Sequence, residues 1–157
     1  SARGVFEGTD TFTQAATIHG GGFWVLTPLR LADSRGVLVN RGFVTAAERE
    51  AGVPRAEGEV IVTGLLRLTE PDGGFLRAND PKAGRWYSRD VSEIAAANGN
   101  GQVAPFFIDA EAGAEPYPIG GLTVLSFPNN HLVYALTWFG LTLLCLGGFG
   151  FVVRDRF

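Results

Sequence analysis

The sequence predicts an α+β fold, with an antiparallel β-rich domain that can curl into an open barrel and one C-terminal transmembrane helix. Two observations lead to this prediction. Short apolar runs rich in β-branched and aromatic residues alternate with Gly, Pro and Asp, as strands alternate with turns. Near the end of the chain, the 22 residues Leu132–Val153 carry no charge, as is typical of a membrane span.

The strand predictions follow the chain in order. "GFWVLTPLRL" and "GVLVNRGFV" flank the polar segment "ADSR", and this pattern predicts a hairpin. Further strands are predicted in "EVIVTGLLRL", "PFFIDA" and "LTVLSF". Short helices are predicted in "TAAEREAG", ending at Gly52, and from Ser88 or Asp90 to Gly99. The long loop over residues 70–90 lies between these elements, and loops of this length are often functional.

The membrane helix also predicts the topology of the chain. A helix over the uncharged run would be about 33 Å long, which matches a hydrocarbon core of about 30 Å. Arg154 and Arg156 follow the run, whereas the preceding "FPNNH" has no Lys or Arg. The positive-inside rule therefore places residues 1–130 in an extracytoplasmic domain, 131–153 in the membrane and 154–157 in the cytoplasm or matrix. Because an exported domain needs an export signal, we expect a missing first transmembrane helix or signal peptide upstream.

Composition excludes several function classes. The net charge of -3 gives no electrostatic basis for a nucleic-acid partner. The single cysteine, Cys145, lies within the predicted span, so disulfide frameworks, CxxC redox motifs and covalent c-type haem attachment are excluded. Cys145 is interpreted as a small apolar side chain in lipid.

Acidic residues cluster after the predicted strand "FFI". Asp109, Glu111 and Glu115 could bind a hard cation, but they lack the spacing of an EF-hand loop. A solvated loop at the end of a strand is therefore the favoured interpretation of this cluster.

A second group of charged and aromatic residues lies in "NDPKAGRWYSRD". Arg85 and Arg89 in this segment could clamp a propionate group or a partner protein, whereas ordinary ion pairs in a loop are the simpler interpretation. The two histidines, His19 and His131, have no recognisable nucleophile partner, so no catalytic motif is predicted.

One face of the predicted transmembrane helix combines a histidine with aromatic side chains. At about 100° per residue, His131, Tyr134 and Trp138 lie close to one line along the helix. Neutral imidazole is a good axial ligand for haem iron, and a flat macrocycle can rest against aromatic neighbours. The residues alone favour the alternative, in which these side chains anchor the helix at the membrane interface. Gly140, Gly147 and Gly150 lie on the opposite side, where another helix could approach closely.

Four blocks of the sequence occur in the order found in a known family. They are "GFWVLTPLRLADSRGVLVNRGFV", "ANDPKAGRWYSRDVSEIA", "PFFIDAE" and "GGLTVLSFPNNHLVYALTWFGLTLL". From about Gly22 to Gly148 the chain resembles the Surfeit locus protein family, whose members are assembly factors of haem-copper cytochrome c oxidase. It departs from the family's pattern at Thr45, where a proline commonly follows "NRGFV", and it matches only loosely before Gly21.

The resemblance implies a fold, a cofactor and a role. The family's architecture has two membrane helices around a large periplasmic or intermembrane-space domain. In bacterial relatives the histidine of the last block is regarded as a ligand of haem a, and His131 stands at that position; Tyr134 and Trp138 are our inference for packing the ring. The implied role is to bind haem a and assist its delivery to, or retention in, the oxidase catalytic subunit, in contact with the haem a synthesis machinery. Family members are not enzymes in the ordinary sense.

Two alternatives to haem delivery remain open. The chain could be a scaffold that stabilises an oxidase assembly intermediate without binding haem. It could also be an unrelated exported enzyme on a membrane anchor, with Asp109 and Glu111 as an acid–base pair. The Ala- and Gly-rich composition favours a bacterial inner membrane with a periplasmic domain over the mitochondrial inner membrane.

Overall fold

A computed structural model describes residues 1–71, 77–113, 116–123 and 130–156. Contacts divide the chain into two compact units, Ser1–Val124 and Leu125–Phe157. Within the described residues, the first unit contains seven strands, two α-helices and one 3₁₀ turn, and the second contains one helix. The elements are β1 (Ala2–Phe6), β2 (Thr11–Thr17), β3 (Gly20–Leu31), β4 (Gly36–Val44), α1 (Ala46–Ala51), β5 (Glu59–Val62), β6 (Gly64–Leu68), the 3₁₀ turn Pro81–Ala83, α2 (Val91–Ala97), β7 (Val103–Ala110) and α3 (His131–Arg154).

The strands of the first unit form one curled sheet, which confirms the predicted β-rich α+β fold with a half-barrel shape. The strand order is β5-β1-β3-β4-β7-β6, and β2 pairs with β3 outside this path. One pair, β4 with β7, is parallel, unlike the antiparallel pairing expected from the sequence. The reason is the connection between them, because β5, β6 and α2 supply the long crossover that parallel neighbours require.

The hairpin predicted around "ADSR" is confirmed in β3 and β4. The two strands pair up to Arg30 and Gly36, and the Leu31 N–H donates to the Arg35 carbonyl at 2.9 Å. Ser34 closes the turn at φ 66°, a left-handed conformation that is uncommon outside glycine and asparagine.

Three strand predictions need revision. The run "EVIVTGLLRL" forms two strands that meet at Thr63, because the chain there leaves one neighbouring strand and joins another. Residues 1–21, for which no strand was predicted, contain β1 and β2. Within "LTVLSF", Leu122 and Thr123 are not in a strand, and residues 124–127 lie outside the described residues.

Both predicted short helices are confirmed, and their start signals are visible as hydrogen bonds. Thr45 and Glu48 form a capping box at the start of α1. The Asp90 carboxylate accepts from the N–H groups of Ser92 and Glu93 at 2.9 and 3.2 Å, which caps the start of α2.

The sheet buries apolar side chains on both faces. On one face, α2 packs over a cluster made by alternate residues of β3, β4 and β7, with Trp86 beside it; the buried members are Leu26, Leu38, Trp86, Val91, Ile94 and Phe107. On the other face the sheet curls around Leu29, Val37, Val39 and Val62. Alternation along each strand thus sends neighbouring residues to two different cores.

The second unit contains the apolar helix α3, and none of its described residues is buried. Its 24 residues are long and apolar enough to cross a membrane. The hydroxyls of Thr137 and Thr142 donate to the carbonyls four residues earlier, at 2.8 and 2.9 Å. The two polar groups are therefore satisfied within the helix, as a hydrocarbon environment requires.

Gly42 in β4 lies where another part of the first unit crosses the sheet. Phe43 and Ile119 exchange two backbone hydrogen bonds of 2.9 and 2.8 Å. Gly42 has φ 135°, and a Cβ at this position would overlap the Ile119 carbonyl. Only glycine therefore allows the Ile119 segment to lie against β4.

We expect Gly42→Ala to lower the free energy of unfolding by about 2–4 kcal/mol, because it adds backbone strain and a steric overlap. Gly52→Ala is the matched control: Gly52 also has positive φ, but its Cβ would enter open space. That variant should lose only about 1 kcal/mol. Urea unfolding of both variants measures the difference, and equal losses would show that the Ile119 contact is unimportant.

Candidate functional site

The carboxylate of Asp109 is the centre of a buried polar cluster on the α2 side of the sheet. Asp109 lies on β7 directly opposite Asn40 of β4, and both side chains are buried. The Asn40 amide donates to the Asp109 Oδ1 at 2.7 Å, and the Thr123 hydroxyl donates to its Oδ2 at 2.8 Å. Asp109 therefore joins two strands and the segment that follows β7.

Two arginines extend the Asp109 cluster. Arg67 of β6 reaches the Asp109 Oδ2 at 3.3 Å, and Arg89 reaches the Oδ1 at 3.4 Å. Both guanidinium groups also contact Glu70, each at 2.9 Å, and Arg89 binds both Glu70 oxygens. Two carboxylates thus neutralise two cations; Asp109 and Arg89 are at the buried end of the cluster, whereas the side chains of Arg67 and Glu70 are 35% and 39% exposed.

Arg89 is further held by aromatic rings. Its guanidinium carbon lies 4.9 Å from the ring centre of Phe107 and 5.7 Å from that of Trp24. Its side chain is only 13% exposed. Arg89 therefore contacts two carboxylates and two rings, which is the ion pairing that the simpler interpretation of this segment predicted.

Arg85, the other arginine considered for propionates, has different surroundings. It is largely exposed and binds the Asp80 carboxylate at 2.7 Å. The hydrogen bond from Arg85, followed by one from the Ala83 N–H, holds the pKa of Asp80 below its ordinary value. The simpler interpretation of the segment, a loop with ordinary ion pairs, is the one observed.

Asn79 shapes the described part of the 70–90 loop. Its side-chain oxygen accepts from the N–H groups of Tyr87 and Ser88 at 2.7 and 3.1 Å. Its amide donates to Ser88 and to Glu93 of α2, at 2.9 and 2.7 Å. One side chain therefore positions the loop that carries Trp86 and Arg89 into the α2 face.

The predicted acidic cluster divides in the structure. Asp109 is inside β7 and bound by four side chains, so the interpretation as a solvated loop is wrong for this residue. Glu111 lies beyond the strand and is exposed. Glu115 lies outside the described residues. Among the residues that the structure describes, no group of three His, Cys, Asp or Glu side chains could hold a metal ion.

Sequence reasoning missed a second, partly buried ion pair on the opposite face of the sheet. Arg41 lies 3.6 Å from Asp10, and the Asp10 carboxylate accepts from the Thr27 hydroxyl at 2.6 Å. Arg41 also donates to the Pro54 carbonyl, and burial lowers the pKa of its guanidinium. The available signal was an arginine at a core-facing position of the strand "GVLVNRGFV".

Helix α3 places the three predicted haem-contacting residues on one side. His131 is its first residue, and Tyr134 and Trp138 follow at offsets of about 60° and 20°, roughly 4.5 and 10.5 Å further along the axis. Tyr134 and Trp138 are each 68% exposed. The helix therefore presents an imidazole above two aromatic rings.

The chemistry of this helix face fits a haem. Imidazole nitrogen is a common axial ligand of haem iron, and aromatic side chains offer flat apolar contact to the macrocycle. The same three side chains also suit a membrane interface, where Tyr and Trp are enriched. Haem ligation by His131 thus stays a prediction, and so does the packing role of Tyr134 and Trp138.

Comparison with known proteins gives a consistent result. The model of the SURF1 family matches residues 1–143. A SURF1-like protein of Monosiga brevicollis is 36% identical over 154 residues, which cover 92% of this chain and 57% of the relative. Surfeit locus protein 1 of Homo sapiens is 38% identical over 77% of this chain and 41% of its own length. The mouse protein of that name is 39% identical over 76% and 40%. The chain therefore spans about half the length of the relatives it matches.

We expect Asp109→Asn to lower the free energy of unfolding by about 2–4 kcal/mol, because it leaves Arg67 and Arg89 with only Glu70 between them. Asp33→Asn is the control, since Asp33 pairs with Arg35 at the exposed hairpin turn. Its loss should stay within about 0.5 kcal/mol. Chemical unfolding of both variants tests this, and a small loss for Asp109→Asn would show that the buried cluster adds little stability.

Proposed function

The chain belongs to the SURF1 family, and on that premise we propose that it is a membrane-anchored assembly factor of haem-copper cytochrome c oxidase. In this proposal it binds haem a through His131 and assists the delivery of haem a to the oxidase catalytic subunit or its retention there. Its partners are that subunit, the haem a synthesis machinery and the membrane. Its role is non-catalytic.

The single observation that carries the haem proposal is the position of His131. This histidine starts an apolar helix and lies on the same side of it as Tyr134 and Trp138. When bound, the haem would supply an iron that takes the neutral imidazole as an axial ligand. The two rings would contact the macrocycle and exclude water from that side.

The topology of the proposal follows from α3. This helix would cross the membrane, with Arg154 at its inner end and residues 1–130 on the outer side. The membrane would be the inner membrane of a bacterium, with the first unit in the periplasm, or the mitochondrial inner membrane, with the first unit in the intermembrane space. Both locations place the His131 end of the helix on the outer side.

A scaffold that stabilises an oxidase assembly intermediate without haem is the second candidate function. It is favoured by the exposure of Tyr134 and Trp138 near one end of α3, which is the pattern of an interfacial anchor. The exported-enzyme alternative is weaker, because Asp109 is enclosed by two arginines, Asn40 and Thr123 and has no open side for a substrate.

The test of haem binding is an absorption spectrum of the full-length protein, purified in detergent from cells that make haem a. His131→Ala should reduce haem a occupancy by about tenfold or more, because the iron loses its axial ligand. His19→Ala is the matched control, since it removes the other histidine, which is exposed and stacks on Phe43 at 6.2 Å. It should retain the spectrum of the unmodified protein.

Two further readouts complete the test. Tyr134→Ala and Trp138→Ala should reduce occupancy less than His131→Ala, because these rings make no bond to iron. Oxidase activity in cells carrying His131→Ala separates the two candidate functions: loss of both haem and oxidase supports a carrier, whereas loss of haem with normal oxidase supports a scaffold. Equal haem content in the unmodified protein and His131→Ala would contradict ligation by this histidine.

A further inference from the structure

The bent strand formed by β5 and β6 has two neighbours, one on each edge. Along β5 the neighbour is β1, with Ala2 opposite Val62. Along β6 the neighbour is β7, with Gly64 opposite Ala110. The strand order β5-β1-β3-β4-β7-β6 begins and ends with the two halves of this bent strand. Because the sheet curls, β1 and β7 therefore lie on opposite edges of the bent strand. Beyond Val62, no described strand pairs with the β1 edge.

The backbone of β6 directs hydrogen-bonding groups to this open edge. The Thr63 carbonyl accepts from the Glu111 N–H at 2.9 Å, so Thr63 faces β7. In an antiparallel pair, alternate residues face the same neighbour. Gly64, Leu66 and Leu68 therefore point their N–H and C=O groups away from β7. An edge of this kind is a template for another strand.

The side chains beside the open edge are apolar and exposed. Leu66 and Leu68 are 63% and 75% exposed. They lie opposite Ile108 and Phe106 and so share their face of the sheet. A cavity of about 630 Å³ opens between the start of β1 and this face. Its apolar lining includes Ala2, Leu31, Val37, Leu66, Phe106 and Ile108.

We propose that an extended polypeptide strand, in line with β1 and antiparallel to β6, adds to this edge and covers the cavity. The occupant is the stretch that leads into Ser1 in the full-length protein, as the greater length of the relatives allows. The β1 register, continued backwards from the Ala2–Val62 pair, brings that stretch opposite Gly64, Leu66 and Leu68. The Ser1 hydroxyl already lies 2.9 Å from that of Thr63 at the beginning of this edge.

This arrangement dictates the chemistry of the added strand. Ala2 and Val62 face the inside of the half-barrel, so every second residue before Ala2 faces the cavity. We therefore expect apolar side chains at those positions and polar side chains at the positions between them, which face solvent. The added strand completes the half-barrel, so that the first unit no longer has an open edge next to exposed leucines.

The test compares hydrogen exchange of a peptide covering Gly64–Leu68 in the full-length protein, in detergent, with that in residues 1–157 alone. In the full-length protein we expect the amides of Gly64, Leu66 and Leu68 to exchange about a hundredfold more slowly, because they are paired with the added strand, whereas those of Leu65 and Arg67 already face β7. The result should not depend on protein concentration. Equal exchange in the two proteins overturns the proposal, and so does protection that appears only when the protein dimerises or binds a partner.

A pair of variants gives a second measurement. Leu66→Lys puts a charge into the covered cavity and should lower the Tm of the full-length protein by about 5 °C or more, with little effect on residues 1–157. Ile61→Lys is the matched control, since Ile61 is 62% exposed on the neighbouring β5 and faces the other side of the sheet. It should change both proteins little, and an equal effect of Leu66→Lys on the two proteins overturns the proposal.

Discussion

The first unit depends on one electrostatic constraint, the need to pair the buried carboxylate of Asp109. An unpaired charge at such a site costs several kcal/mol, so every element around it must supply a donor. β4 supplies Asn40, β6 supplies Arg67, and the segment after β7 supplies Thr123. Arg89, just before α2, completes the set. Because these residues are far apart in sequence, the cluster forms only when β4, β7 and β6 have their native arrangement, and it thereby favours that arrangement.

The opposite face of the sheet is mainly apolar. There the half-barrel encloses a small apolar core, and the largely buried guanidinium of Arg41 is compensated by Asp10. The bend at Thr63 allows a single strand to serve both edges of the curled sheet. The sheet is therefore closed only where β5 pairs with β1, and the corresponding edge of β6 is open. The two faces are thus unequal: α2 and the described part of the 70–90 loop cover one face, whereas the other face borders the open edge of β6.

The residues proposed for haem binding and the paired charges of the first unit lie in different parts of the chain. Two of the charged residues that the sequence suggested as ligand contacts, Arg89 and Asp109, bind one another within the sheet. The residues proposed for the cofactor lie on α3, and none of the described side chains of this helix is buried. This division makes the haem proposal separable by experiment, because changes on α3 leave the hydrogen bonds of the sheet intact.

Local signals in the sequence determined the elements whose structure is set by near neighbours. The β3–β4 hairpin, the capped starts of α1 and α2, and the apolar helix α3 each follow from residues a few positions apart. The family was likewise readable from ordered blocks such as "PNNHLVYALTWFG". Tertiary structure alone decided the parallel pairing of β7 with β4, the break at Thr63, and the burial of Asp109 and Arg41. These features depend on partners up to 69 residues apart, such as Asn40 and Asp109. No local pattern encodes them, because burial of a charge becomes favourable only after the fold has brought its counterions together.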